Sequence, residues 1–135
     1  MNISYRWLHS IAPGLQGTPH ELAERLAMLG APVDEVVDLG ADIGDVVIAR
    51  VEDVRQHPNA DRLRICTVNA GSGDPLQVVC GAPNVEAGGL YPFAPIGATL
   101  PGGMEIKRAK LRGEESQGML CSARELGLGR DHGGL

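Results

Sequence analysis

At 135 residues and 14.2 kDa the chain has room for one ordinary core and not for two large ones. Nineteen glycines and nine prolines exclude a plain helical bundle, while 43% hydrophobic residues with only 3% aromatics call for a core of aliphatic side chains. The net charge of −5 argues against a surface that binds polyanions everywhere, and no stretch approaches the ~18 apolar residues of a membrane span.

The start of the chain interrupts its apolar residues with Arg6 and His9 and does not read as a signal peptide, so the expected setting is cytoplasmic. Residues 1–39 are expected to form a helical segment. Ser4 caps a short helix carrying Tyr5, Trp7 and Leu8. Thr18-Pro19-His20-Glu21 reads as a capping box with proline at the first helical position, and Gly30 stands where a left-handed stop belongs. Between them Leu22, Leu26 and Leu29 recur at i, i+4 and i+7, a stripe that one helix cannot bury by itself. Val33 to Leu39 reads as a connecting strand.

From Val46 the period changes to two. Val47, Ala49 and Val51 alternate with Ile48, Arg50 and Glu52, and the run ends at His57-Pro58. Further strands are expected at Arg62–Val68, Leu76–Cys80, Leu90–Ala94, Met104–Leu111 and Met119–Cys121, with turns at Gly71–Pro75 and Pro101–Gly103. Pro92 and Pro95 bracket Phe93, which predicts an edge or bulged strand there. Ser122-Ala123-Arg124-Glu125 reads as a second capping box opening a short helix that stops at Gly127. The expected fold is mainly β with a helical N-terminal segment (α+β). Residues 40–135 are expected to form an OB-fold, a five-stranded Greek-key barrel.

No catalytic or metal site is expected. Gly127-Leu128-Gly129-Arg130-Asp131-His132 misses the dinucleotide fingerprint, since His132 occupies the place of the third glycine. Cys66, Cys80 and Cys121 form no C-x-x-C pair and read as buried thiols rather than a disulfide frame or a zinc site with His57. Asp61 beside His57 reads as a turn residue, not as a catalytic partner.

Charge is the better guide. Residues 1–38 set Arg6 and Arg25 against five acids, yet Lys107, Arg108, Lys110 and Arg112 fall in a six-residue window without an acid. On one strand, Arg108, Lys110 and Arg112 would share a face at about 6.6 Å intervals, a spacing that matches a nucleic-acid backbone. The same residues also suit a solvated edge strand, where Lys guards against edge pairing. A second cluster, His57 to Arg64, joins the first two strands where OB barrels commonly bind oligomers. There Asn59 offers an amide, and Arg62 and Arg64 would share a face. Ser116 and Gln117 follow the basic stretch as hydrogen-bonding groups. The barrel region holds only Tyr91 and Phe93 as aromatics. Affinity would then come from phosphates and shape, which favours folded RNA over a flexible single strand, with a salt slope of roughly −2 to −4 for about three to five contacts.

These same stretches carry a resemblance. His57-Pro58-Asn59-Ala60-Asp61-Arg62-Leu63, Val79-Cys80-Gly81-Ala82-Pro83-Asn84 and Lys110 to Ser122 resemble the tRNA-binding OB domain shared by several synthetases. Ile3 to Leu8 and Leu22 to Gly30 are similar to the start of bacterial phenylalanyl-tRNA synthetase beta subunits. The resemblance implies an α2β2 parent, built with an alpha subunit, that charges tRNA-Phe using ATP and magnesium in the cytoplasm. It implies a non-catalytic role for residues 1–135, with tRNA rather than DNA or membrane as the partner and no cofactor of their own. The candidate RNA contacts are Lys107, Arg108, Lys110 and Arg112, with Arg62 and Arg64 in support, on their charge, while Asn59, Ser116 and Met119 are carried over from the motif positions of the resemblance. The alternatives are a free-standing or methionyl-synthetase-type tRNA-binding domain, and a protein-interaction module that holds the parent together.

Overall fold

The helical start and the alternating remainder fall into two units, Met1–Asp38 and Leu39–Leu135, in the computed structural model, which describes residues 1–131 and 133–135. In the first unit, α1 (Tyr5–Ile11) opens with the Ser4 hydroxyl accepting from the Trp7 N–H at 3.4 Å. Helix α2 (Pro19–Met28) opens with the full box, Glu21 N–H to Thr18 Oγ1 at 3.2 Å and Thr18 N–H to Glu21 Oε2 at 2.7 Å. Those bonds from Thr18, the backbone one foremost, hold the Glu21 carboxyl below its ordinary range. The helix ends as a Schellman motif: Gly30 has φ +86°, and Ala31 N–H reaches Leu26 O at 2.9 Å. Two expectations fail. Leu29 is 82% exposed, leaving Leu22, Ala23 and Leu26 as the half-buried stripe, and residues 33–39 form no strand. Alternation without a neighbouring ladder does not hold extended backbone in place.

The second unit contains β1 (Val47–Gln56), β2 (Arg64–Asn69), β3 (Leu76–Cys80), β4 (Leu90–Pro95), β5 (Thr99–Leu100), β6 (Met104–Glu105), β7 (Ala109–Leu111), β8 (Glu114–Ser116) and β9 (Gly118–Leu120). Five of them make an antiparallel sheet in the order β3-β2-β1-β4-β9. Its two ends are drawn together, with Gln117 N–H to Gln77 O at 2.8 Å and Val79 N–H to Ser116 Oγ at 3.0 Å. The result is a nearly closed five-stranded barrel of the OB type, as the turn-punctuated strands predict. Its interior is aliphatic apart from one ring. Ala49, Val51, Cys66, Val68, Val78, Val85 and Leu120 surround Phe93, and a second cluster joins Ala94, Ala98, Leu100, Ile106, Cys121 and Leu126. The alternation of β1 breaks once, where the register shifts between Val51 and Asp53, a bulge that bends the long strand around the barrel.

Strand β4 is interior, between β1 and β9, not an edge. Its prolines fit because each lies where a ladder runs out. Cys121 N–H donates to Pro92 O at 2.9 Å just past the end of β9, and Pro95 lies beyond Phe93, the partner of the first residue of β1. The expected strand Met104–Leu111 is two short pieces. Ile106 turns inward to the second cluster, bonded to Ala98 O and Gly97 N at 2.8 Å each, and residues 106–108 leave the ladder. The expected helix after Ser122 is a turn: Glu125 Oε2 accepts from both the N–H and the hydroxyl of Ser122, at 2.6 and 2.7 Å. His132, the departure from the dinucleotide pattern, lies outside the described residues.

All three cysteines are free and buried. Burial pushes the Cys66 thiol up to about 12 and that of Cys121 up to about 11, and raises Cys80 as well. An unfolded chain loses these protons near about 8.5, whereas the folded chain keeps them, so thiol burial costs stability as pH climbs. The urea midpoint is therefore expected to decline from about pH 9 upward. Cys66→Ala starts less stable but declines less steeply, and parallel declines for the two proteins would refute the assignment.

Candidate nucleic-acid interface

The β1–β2 corner and the long excursion between β4 and β9 meet at one edge of the barrel, and the predicted residues sort themselves there. Strands β7 and β8 form a hairpin pairing Ala109 with Ser116, Lys110 with Glu115 and Leu111 with Glu114. Its two-residue loop is Arg112-Gly113, at φ +52° and +102°. Positive φ at both positions is the type I′ geometry whose twist matches paired strands, and it is why glycine follows the arginine. Arg112 is the described non-glycine residue with positive φ, so the side chain at the hairpin tip is carried on strained backbone.

His57 supplies the support. It is 2% exposed, and its Nδ1 accepts the Asn59 N–H at 3.0 Å. With that nitrogen occupied as an acceptor, the ring proton sits on Nε2, which donates to Leu111 O at 3.0 Å. Asn59 Nδ2 donates to Arg112 O at 3.3 Å. The corner is itself braced: Gln56 Nε2 donates to Ala60 O and Asp61 O at 3.1 Å and to Leu63 O at 3.3 Å. Two successive carbonyls of the hairpin turn are thus held by a stiffened corner more than fifty residues away in sequence.

The expected row of three cations on one strand does not form. Only Lys110 lies in β7, with Arg108 before it and Arg112 in the loop. Lys107 pairs with Glu105 at 2.9 Å, and Arg108 stands 4.0 Å from Glu115 across the hairpin. Both pairs are exposed and weak, about 0–1 kcal/mol, yet each offsets local charge. Lys110 and Arg112 are exposed, and neither makes an ion pair among the described residues. Arg62 and Arg64 do not share a strand face. Arg62 is exposed in the turn before β2, whereas Arg64 is half-buried and donates to Val85 O at 2.9 Å, tying the 81–89 loop to the barrel.

Ser116 and Met119 are turned toward the protein, Ser116 fully and Met119 in part. Ser116 is buried, accepting from Val79 N–H and donating to Gly118 O at 2.9 Å, and Met119 packs against the second cluster. Gln117 is also spent on Gln77, whose N–H it accepts at 3.1 Å. Phe93 is fully buried, and Tyr91 packs half-buried against the main cluster with its hydroxyl donating to Asn84 O and accepting from Glu86 N–H at 3.0 Å each, so neither ring stands exposed as a stacking platform. What the edge presents is Lys110 and Arg112 at a held hairpin, with Arg62 in the adjoining corner. The supporting roles of His57, a member of the corner motif, and of Gln56 are not legible in the sequence, because their partners include backbone atoms that spacing does not reveal.

A family model described as a putative tRNA binding domain matches residues 46–135, the stretch that builds this barrel and its hairpin. The chain belongs to that family. It is 50% identical over 135 residues to the phenylalanine–tRNA ligase beta subunit of Nitratidesulfovibrio vulgaris, covering 100% of this chain and 17% of that protein. The corresponding figures are 53% with 17% for Bordetella parapertussis and 48% with 16% for Syntrophus aciditrophicus, again over the whole of this chain. The chain therefore spans about one-sixth of the length of the curated relatives it matches. Those matches include the helical start, which sets the chain beside ligase beta subunits rather than isolated tRNA-binding domains. A solved structure, the C-terminal domain of Plasmodium vivax p43, aligns with a TM-score of 0.45 and 22% identity over 56% of this chain and 43% of that one.

For a member of this tRNA-binding family, Arg112 is an informative position. Arg112→Gly relieves the left-handed strain and is expected to raise stability by up to about 1 kcal/mol. It also removes a tip cation. A urea midpoint that falls instead of rising would refute the strain assignment.

Proposed function

We propose that this chain is the tRNA-binding module of a phenylalanine–tRNA ligase beta subunit, and that it holds RNA by phosphate contacts from the hairpin tip. The observation that carries the reading is the pairing state of the charges: Lys110 and Arg112 stand exposed and without a carboxylate partner at the ligand-binding edge of the barrel. Arg62 in the adjoining corner and, less directly, Lys107 and Arg108 beside their acids extend the positive strip. Binding of this kind reads backbone and shape, since neither aromatic ring of the barrel, Tyr91 or Phe93, stands exposed to a base.

On this reading the parent enzyme charges tRNA-Phe with an alpha subunit in an α2β2 assembly in the cytoplasm, using ATP and magnesium. No group of three or more His, Cys, Asp or Glu side chains that could hold a metal comes together among the described residues. Among those residues no helix is long and apolar enough to cross a membrane.

The test is a filter-binding titration with unmodified tRNA at several salt concentrations. Lys110→Ala with Arg112→Ala is expected to weaken binding to all tRNAs alike and to flatten the slope of log K against log salt by about 2. An unchanged affinity at low salt would remove the hairpin from the interface.

A further inference from the structure

We infer that His57 and Asn59 are positioning residues for RNA binding, acting through the Leu111 and Arg112 carbonyls to fix where the hairpin presents its cations. The inference rests on the tRNA-binding reading for its consequence, but not for its geometry. The sequence reading sets Asn59 among direct RNA contacts. Its amide, however, is committed at 3.3 Å to Arg112 O, and its own N–H to His57.

Three observations converge. First, the hairpin needs an external hold. Its β8 side is tied to β3 through Gln77 and Val79, but its sheet of three residues per strand lies outside the barrel sheet, and its tip carries an arginine at φ +52°. Short isolated hairpins are marginal by themselves, and left-handed backbone at a non-glycine residue persists only where the surroundings impose it. Second, the hold is buried on the side that matters. The His57 ring is 2% exposed, so its bond to Leu111 O forms away from competing water. Third, the two ring nitrogens do separable jobs. Nδ1 accepts within the corner, and Nε2 donates across to the hairpin.

That separation gives a test. Glutamine places its amide nitrogen near the position of Nε2 and keeps a donor for Leu111 O. Asparagine places its oxygen near Nδ1 and keeps only the acceptor for Asn59 N–H. His57→Gln and His57→Asn each delete one hydrogen bond and the same ring, so a merely structural role moves both alike. The 135-residue chain carries trypsin sites at Lys110 and Arg112, on the hairpin itself, which report its local opening.

Cleavage after Lys110 and Arg112, followed by mass spectrometry, is expected to rise about fivefold in His57→Asn and to stay within about twofold in His57→Gln. The affinity for unmodified tRNA is expected to fall by a similar factor in His57→Asn alone. Equal cleavage and equal affinity in both variants would overturn the proposal. If neither variant folds, Asn59→Ala carries the test, because Asn59 is exposed and its change leaves the core intact. It is expected to raise cleavage after Arg112, and wild-type cleavage would count against the inference. If the wild-type chain retains no tRNA while the cleavage pattern holds, the positioning stands and the tRNA reading falls.

Discussion

Gly118→Ala is expected to bring the barrel close to unfolding. Gly118 opens β9 opposite Pro95, at φ +145°, with its missing side chain directed at the core. A Cβ built there would lie 2.4 Å from Phe93 Cε2, 2.5 Å from Cζ and 2.8 Å from Ala94 O. None of these can yield cheaply. The Phe93 ring is fully buried at the centre of the main cluster, and Ala94 belongs to the neighbouring interior strand. Overpacking of this kind costs roughly 1–3 kcal/mol, and the backbone conformation imposes a further ~1–3 kcal/mol on an L-residue. A domain of this size has only about 5–15 kcal/mol in total. Urea denaturation should therefore show a midpoint far below that of the wild type. A shift worth less than about 1 kcal/mol would mean that β9 does not press on Phe93 as described.

The contrast between what residues reveal and what they hide is sharp in this chain. Caps are legible because they are local: Thr18 and Glu21 form their box within four residues, and Gly30 takes the left-handed turn that its position demands. The barrel is legible from alternation and from turn residues at regular intervals. The Met104–Leu111 break is not, because it depends on Ile106 being drawn to a cluster whose other members lie elsewhere in the chain. The candidate site follows the same rule. Lys110 and Arg112 are found by charge alone, and their exposure agrees with it. Arg64 and Ser116 share residue type and motif with plausible RNA contacts, but their polar atoms are taken by Val85 O, Val79 N–H and Gly118 O. A motif preserves residues that build an interface along with residues that touch a ligand, and only three-dimensional pairing separates them.

That separation makes Ser116→Ala the second decisive experiment. The Ser116 hydroxyl accepts the Val79 N–H at 3.0 Å and donates to Gly118 O at 2.9 Å, so one oxygen joins β3 to the start of β9 where the barrel closes. Both Ser116 and Val79 are buried, at 3% and 8% exposure, and water cannot replace the lost partner without opening the seam. Removing the hydroxyl leaves a buried N–H unsatisfied, at a cost of about 1–3 kcal/mol. If Ser116 were instead an RNA contact, alanine would leave stability nearly unchanged and weaken binding. The structural assignment reverses both outcomes. The urea midpoint falls, while tRNA affinity measured well below that midpoint keeps the wild-type slope against salt, because no phosphate contact has been lost. Cysteine offers an internal check, since its thiol is a weak acceptor that should restore only part of the lost stability. A Ser116→Ala chain as stable as the wild type but deficient in tRNA binding would return this residue to the interface and leave the seam to the bonds Gln77 makes with Gln117, Glu114 and Glu115.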